Sequence, residues 1–143
     1  MRTLSFLKDV YNTKPIRNFW LLDKHSIPDK PGSYIILARQ GEMFEYPRKK
    51  SPVFYIGKAI NLRKRLNQHF RFSRQAKIDH KLVLYWPLYE WAAVKGARYT
   101  FVECKSDEKA RLLERDFLAQ FAEKYRSWPI ANGQGGWDSL PSI

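Results

Sequence analysis

Apolar positions along this 143-residue chain change their spacing several times, and each change marks an element. Leu4, Leu7, Val10 and Tyr11 recur at helical spacing. Thr13 followed by Pro15 caps a second helical stretch through Phe19, Trp20 and Leu22. Residues 1–28 are therefore expected to form a helical extension covering one side of a core. Ile27-Pro28-Asp29-Lys30-Pro31-Gly32 has strong turn chemistry and separates it from a main domain over residues 29–143. Ser33 to Ala38 then reads as a strand. Val53 to Ile56, rich in β-branched and aromatic residues, reads as another. The connection between them, Arg39 to Pro52, contains Gly41, Pro47 and Pro52 and makes a long, partly basic hairpin, so the two strands run antiparallel. Gly57 ends the second strand. Asn61 suits an N-cap, and Leu62, Leu66 and Phe70 give the following helix one buried stripe.

Residues 71–96 read as mostly helical, with Leu82, Tyr85, Trp86, Tyr89 and Trp91 as apolar material and Pro87 dividing the segment. Such aromatics can stack on unpaired bases, although helical aromatics more often fill a core. Lys95-Gly96 closes the segment. Arg98 to Cys104 reads as a third strand, with Cys104 a small buried hydrophobe. Ser106-Asp107-Glu108 opens a last helix with acids in its first turn, as the helix dipole prefers. Its Leu113, Phe117, Leu118, Phe121 and Tyr125 occupy one arc. The expected fold is α+β: a small three-stranded antiparallel sheet flanked by helices, with the helical N-terminal extension against it.

Composition narrows the partners. The apolar share is 44% and the aromatic share 15%, enough for one real core, and the net charge is +12. Residues 48–81 hold eleven basic side chains against one acid, Asp79. Charge that local marks a surface built for a polyanion. No long apolar run or lipidation signal is present, so nucleic acid is favoured over a membrane. The N-terminus has no signal-peptide pattern. The single cysteine excludes an intrachain disulfide or a zinc cluster, and a cytoplasmic, reducing compartment fits.

Two places carry candidate chemistry. At about 100° per residue, Arg65 and His69 fall beside the stripe of their helix, close to where the preceding strand delivers Tyr55, while Lys64 and Gln68 point to water. With Lys58, a phenol, an ammonium, a guanidinium and an imidazole would share one patch. That set suits a phosphodiester, since arginine offers a planar fork to phosphate oxygens and lysine a point charge. The alternative is a strand–helix unit whose Arg and His are merely solvated and whose Tyr55 is packed in the core. The second place is Glu114, which falls inside the apolar arc of the last helix. A carboxylate there costs several kcal/mol unless it is paired or ligated, so it needs Lys, Arg or a metal ion.

In their order, these residues resemble the GIY-YIG nuclease family. Pro31-Gly32-Ser33-Tyr34 is similar to its first signature and Tyr55-Ile56-Gly57-Lys58-Ala59 to its second, followed by Asn61-Leu62 and Lys64-Arg65-Leu66. His69 follows Arg65 as in the homing-endonuclease branch. Ser106 to Ala110, leading to Leu112-Leu113-Glu114, looks like the stretch carrying the metal-binding glutamate, and Pro129-Ile130-Ala131-Asn132 like the closing motif. Ser33 departs from the usual aliphatic residue, and both the loop between the tyrosines and the segment from Glu114 to Asn132 are longer.

The resemblance implies hydrolysis of a DNA phosphodiester with one divalent ion, Mg²⁺ (or Mn²⁺), held by Glu114 as sole protein ligand. It implies that Arg65 neutralises the reacting phosphate, that Tyr55 or Tyr34 abstracts the proton helped by Lys58, that His69 relays it, and that Asn132 orients the site. His80 is a candidate phosphate contact, and His25 has no catalytic part. Arg48, Lys49, Lys50, Arg63, Lys64, Arg71, Arg74, Lys77 and Lys81 would track the DNA backbone, which positions without specifying. A weak intrinsic sequence preference, a homodimer or a targeting partner is then expected. Two readings compete: a GIY-YIG-fold binding protein that has lost cleavage, and a basic RNA-binding module using Tyr85, Trp86 and Trp91.

Overall fold

The stretch Gly32–Ala38 is apolar at odd and even positions alike, so both of its faces must be covered, and it lies inside the sheet with all seven residues buried. The computed structural model describes residues 4, 6, 7, 13–78 and 95–133. Its strands are β1 (Arg17–Asn18), β2 (Gly32–Ala38), β3 (Phe44–Glu45), β4 (Lys50–Ser51), β5 (Val53–Ala59) and β6 (Ala97–Glu103). Its helices are α1 (Leu62–Ile78) and α2 (Asp107–Tyr125). Among the described residues one sheet has four antiparallel strands in the order β1-β6-β2-β5, and β3-β4 forms a separate two-stranded sheet.

The sheet is thus wider than the three strands expected. The extra edge strand comes from the N-terminal segment, where a second helix was expected, and this corrects the helical reading of Thr13 to Leu22. Arg17 and Asn18 pair with Tyr99 and Arg98 of β6. Lys14 N–H donates to the Phe101 carbonyl at 2.9 Å, and the Thr100 hydroxyl donates to the Lys14 carbonyl. Beyond β1 the chain makes two 3₁₀ turns, Phe19–Leu21 and Lys24–Ser26. Each is capped by an acceptor side chain: Asn18 takes the Trp20 N–H and Asp23 the His25 N–H. Side chains that bond their own backbone in this way compete with a helix. The apolar residues still reach the core, Phe19 at 0% and Ile27 at 1% exposure. Leu4, Phe6 and Leu7 are also buried, with Phe6 edge-on to Phe121, and the rest of the first expected helix lies outside the described residues.

Both helices begin where the sequence predicts. Asn61 caps α1 by accepting the Lys64 N–H at 3.1 Å, and Ser106 caps α2 by accepting the Lys109 N–H. α1 continues past Phe70 to Ile78 without a break. α2 ends on Arg126, at φ 59°, whose N–H closes onto Ala122. Cys104 falls one residue beyond β6 and is half-buried, not a core hydrophobe inside the strand. Leu82, Tyr85, Trp86, Pro87, Tyr89 and Trp91 lie outside the described residues.

Strand alternation assigns the faces. Tyr34 and Ile36 of β2 share a face with Tyr55 and Gly57 of β5, because Tyr34 pairs with Gly57 and Ile36 with Tyr55. α1 covers that face through Leu62, Leu66 and His69, all fully buried. α2 lies against β2 and β5 as well, and Lys58, on the other face of β5, reaches its first turn. β5 is therefore an edge strand held between two helices, with reactive residues on both of its sides.

Candidate active site

The site is built around the outer edge of β5. A Cβ at Gly57 would lie 2.6 Å from the Tyr34 hydroxyl and 2.7 Å from the Tyr55 ring, so only glycine lets the two phenols close over the strand. Their ring centroids are 6.0 Å apart. Tyr34 is fully buried, whereas Tyr55 keeps part of its surface open.

α1 completes this face. The Tyr34 hydroxyl and His69 Nε2 are hydrogen-bonded at 2.6 Å, and the His69 ring also meets the Tyr55 ring edge-on at 6.0 Å. His69 sits wholly inside the core and not at its rim. Burial, with the Arg65 charge one turn away, pushes its pKa down to about 3, so the imidazole is neutral at physiological pH. Arg65 Nη1 donates to Gln68 at 2.8 Å, which turns Gln68 along the helix surface instead of out to water. Burial pushes the Tyr55 phenol up, opposed by the Arg65 charge and by hydrogen bonds from Tyr34 and Arg65, while the Glu114 carboxylate adds to the rise. One phenol thus feels the guanidinium of α1 and the carboxylate of α2 together.

Strand alternation sends Lys58 to the face of β5 opposite Tyr55, so it meets the phenol–guanidinium–imidazole patch only across the cleft that it lines with Arg65. On that opposite face its ammonium pairs with Asp107 at 2.6 Å. Glu114 lies beyond it on α2, half-buried. Desolvation raises its pKa and the Lys58 charge lowers it. Among the described residues no cation closes on Glu114 within ion-pair distance, and no cluster of three His, Cys, Asp or Glu side chains could cage a metal. A lone carboxylate kept from full solvation fits Mg²⁺, which keeps most of its waters and takes one or two carboxylates.

Asn132 sits on the free edge of β5 and acts as a substitute strand. Its Oδ1 accepts the Ile56 N–H at 2.9 Å and its Nδ2 donates to the Ile56 carbonyl at 2.8 Å. Both backbone groups of the residue between Tyr55 and Gly57 are satisfied by one carboxamide.

Comparison with known proteins decides the family: the GIY-YIG catalytic domain matches residues 30–126. The chain belongs to the GIY-YIG family. It is 31% identical over 100 residues to UvrABC system protein C of Nautilia profundicola, covering 70% of this chain and 14% of that protein. The corresponding protein of a Hydrogenobaculum species is 29% identical over 98 residues, covering 68% and 14%. That of Streptococcus pyogenes is 28% identical over 107 residues, covering 73% and 14%. The chain thus spans a small part of the length of these relatives. No solved structure matches it significantly.

Against the GIY-YIG pattern, the departure at Ser33 has a local reason. Its hydroxyl donates to the Gly57 carbonyl at 2.8 Å, a buried cross-strand bond that ties the two signatures together. The longer loop is explained by β3 and β4. Tyr46 fastens their hairpin, donating to the Val53 carbonyl at 2.6 Å and accepting the Ile130 N–H at 3.1 Å.

The basic residues divide into three groups. Lys64 and Arg71 line a cleft of about 570 Å³ with Lys58 and Arg65, and Arg74 is exposed further along α1. Arg48, Lys49 and Lys50 are exposed on the β3–β4 hairpin, where Lys50 faces Glu45 at 3.7 Å. Arg63 points away from the cleft, bonded to the Ile27 carbonyl at 2.7 Å and to Asp29 at 2.8 Å. The Lys77 side chain, His80 and Lys81 lie outside the described residues. Among those residues no helix is long and apolar enough to cross a membrane. Sequence reasoning missed Asp107 as the partner of Lys58, because the helix dipole already accounted for an acid in the first turn of α2. It also missed Gln68 and Tyr46.

Proposed function

We propose that this chain is a divalent-metal-dependent DNA endonuclease that hydrolyses phosphodiester bonds at a single site around the edge of β5. The observation that carries the reading is the Tyr55 phenol lying within electrostatic reach of both Arg65 and Glu114. A binding protein that had lost cleavage would have no use for a half-buried, unneutralised carboxylate beside that pair.

Glu114 would hold Mg²⁺ or Mn²⁺. When bound, the ion supplies Lewis-acid stabilisation of the leaving oxygen. Arg65 binds the reacting phosphate and offsets the charge that builds on it, a contribution worth about 10²–10³ in rate for a single well-placed donor. Its bond to Gln68 keeps the fork pre-aimed. Tyr55 is the candidate base, since Tyr34 is fully buried and cannot touch an attacking water. At rest the Tyr55 phenol is protonated; it becomes a base by losing that proton to solvent through its open surface, and Arg65 is the cation of this chain that favours the resulting phenolate. Tyr34 and His69 continue the hydrogen-bonded path inward. A neutral imidazole titrating near 3 is a poor store for a proton at neutral pH, so His69 fixes the Tyr34 hydroxyl and serves as a positioning residue. Lys58, held by Asp107, opposes the rise that burial imposes on the Glu114 pKa, and Asn132 fixes the backbone that carries Tyr55.

Phosphate contacts in the basic cleft carry no sequence information, so choice of substrate would come from a second copy or a targeting partner. The relatives are named as component C of a UvrABC system, which supports a partner. The test is nicking of supercoiled plasmid with and without Mg²⁺ or Mn²⁺. Glu114→Gln and Arg65→Ala should abolish nicking while duplex binding in chelator persists. Nicking that survives Glu114→Gln would overturn the metal assignment, and binding without nicking by the native chain would leave only the binding-protein reading.

A further inference from the structure

α1 has a second basic cavity on its other flank. It measures about 360 Å³ and is lined by Lys14, Arg17, His25, Arg63 and Tyr99, with Glu103 the acid in its wall. Lys14, Arg17 and His25 precede residue 30, where the family match begins, so the shared GIY-YIG pattern does not account for this surface. It is also a built surface. Lys14 is fixed by its backbone to Phe101 and Thr100, Arg17 by β1 pairing, and Arg63 by Ile27 and Asp29. Tyr99 and Phe101, which face it, share the sheet face of Tyr34 and Tyr55. The cavity and the cleft lined by Lys64 and Arg65 therefore flank the first turns of α1. Consecutive residues straddle the helix: Arg63 lines the cavity, while Lys64 and Arg65 line the cleft.

A helix with its side chains is about 10–12 Å across, and the major groove of B-DNA, about 12 Å wide, admits one between its two phosphate backbones. We infer that the N-terminal cavity binds backbone phosphate of the strand opposite the one in the catalytic cleft, so that α1 enters the groove with one strand on each flank. The inference rests on the nuclease reading only for which cleft holds the cut strand. The helix N-terminus itself is not the anion site, since the N–H groups of Leu62, Arg63 and Lys64 already donate to Lys30, Pro28 and Asn61.

The experiment measures binding of the full chain, carrying Glu114→Gln and in chelator, to a fluorescent duplex and to the matching single strand across a salt series. Lys14→Ala with Arg17→Ala removes two exposed cations whose structural bonds are made by the backbone. For the duplex, the slope of log affinity against log salt should become shallower by about 2, with affinity reduced about tenfold or more at moderate salt. Single-strand binding should be unchanged, and the swap Lys14→Arg with Arg17→Lys should restore the duplex slope. Equal losses on duplex and single strand would put the cavity along the same strand and overturn the inference. So would unchanged duplex binding. A separate loss of nicking in Glu114→Gln, or its persistence, reports on the nuclease reading and leaves this comparison intact.

Discussion

Substituting His69 by glutamine tests whether the imidazole is buried neutral. In the unfolded chain it titrates near 6.5, while in the fold burial and Arg65 push it to about 3. A pKa depressed by folding gives stability that is present in full above 6.5 and is lost as pH falls towards the folded value. Between those values the unfolded chain takes up a proton that the folded one refuses. At pH 5 the penalty is RT ln(1 + 10^1.5), about 2 kcal/mol, against less than ~0.1 at pH 7.5. That figure depends on the unfolded pKa and only requires the folded one to lie well below 5. Glu114 works with the opposite sign, because burial raises its pKa in the fold and its protonation favours the folded state. The variant keeps Glu114, so the comparison cancels it. The introduced carboxamide would also remain a hydrogen-bonding neighbour for the Tyr34 hydroxyl. The assay is urea unfolding of both proteins at pH 7.5 and 5.0. The native chain should lose about 2 kcal/mol more than His69→Gln over that interval. Equal losses would mean that His69 takes a proton in the fold, and the neutral-imidazole account of the Tyr34–His69 pair would fail.

Further outcomes follow from the same geometry. Gly57→Ala drives a methyl into both phenols and should cost about 1–3 kcal/mol in urea unfolding, with nicking reduced further than stability; a neutral result would refute the close approach. Asn132→Ala leaves the Ile56 N–H and carbonyl without their partner, about 1–3 kcal/mol for each group that stays dry. Faster amide exchange at Ile56 would report it, and unchanged exchange would refute it. Lys58→Met removes the charge that lowers the Glu114 pKa, so the acid limb of nicking against pH should move upward; a limb that stays put or moves down would sever Lys58 from Glu114.

What can be read in advance is whatever depends on local pattern. Asn61 and Ser106 declare their helices, the run from Ser33 to Ala38 declares a buried strand, and Glu114 stands out as an acid on an apolar arc. The misses arise where two parts of the chain decide together. Arg17 and Asn18 form a strand because β6 offers an edge, and no property of Thr13 to Leu22 announces that neighbour. Local pattern puts Lys58 on the same patch as Tyr55 because the intervening Gly57 reads as the end of the strand. The strand in fact runs on to Ala59, and its alternation carries Lys58 to the other side. Asn132 is identified through its motif, yet its bonds to Ile56 span most of the chain and have no short-range signature.

The insertion between the two signature strands is fastened at its base and open at its tip. Phe44 and Tyr46 are buried, and the Tyr46 hydroxyl ties the hairpin to β5 and to the turn before Asn132, whereas Pro47, Arg48 and Lys49 project into solvent. Such a mount separates two evolutionary tasks. Residues at the projecting end can be exchanged or lengthened, while the anchor keeps the tyrosine-bearing strand in register. Under the proposed nuclease reading, grafting other tips onto this anchor would change which substrate is reached and leave the reaction centre unchanged.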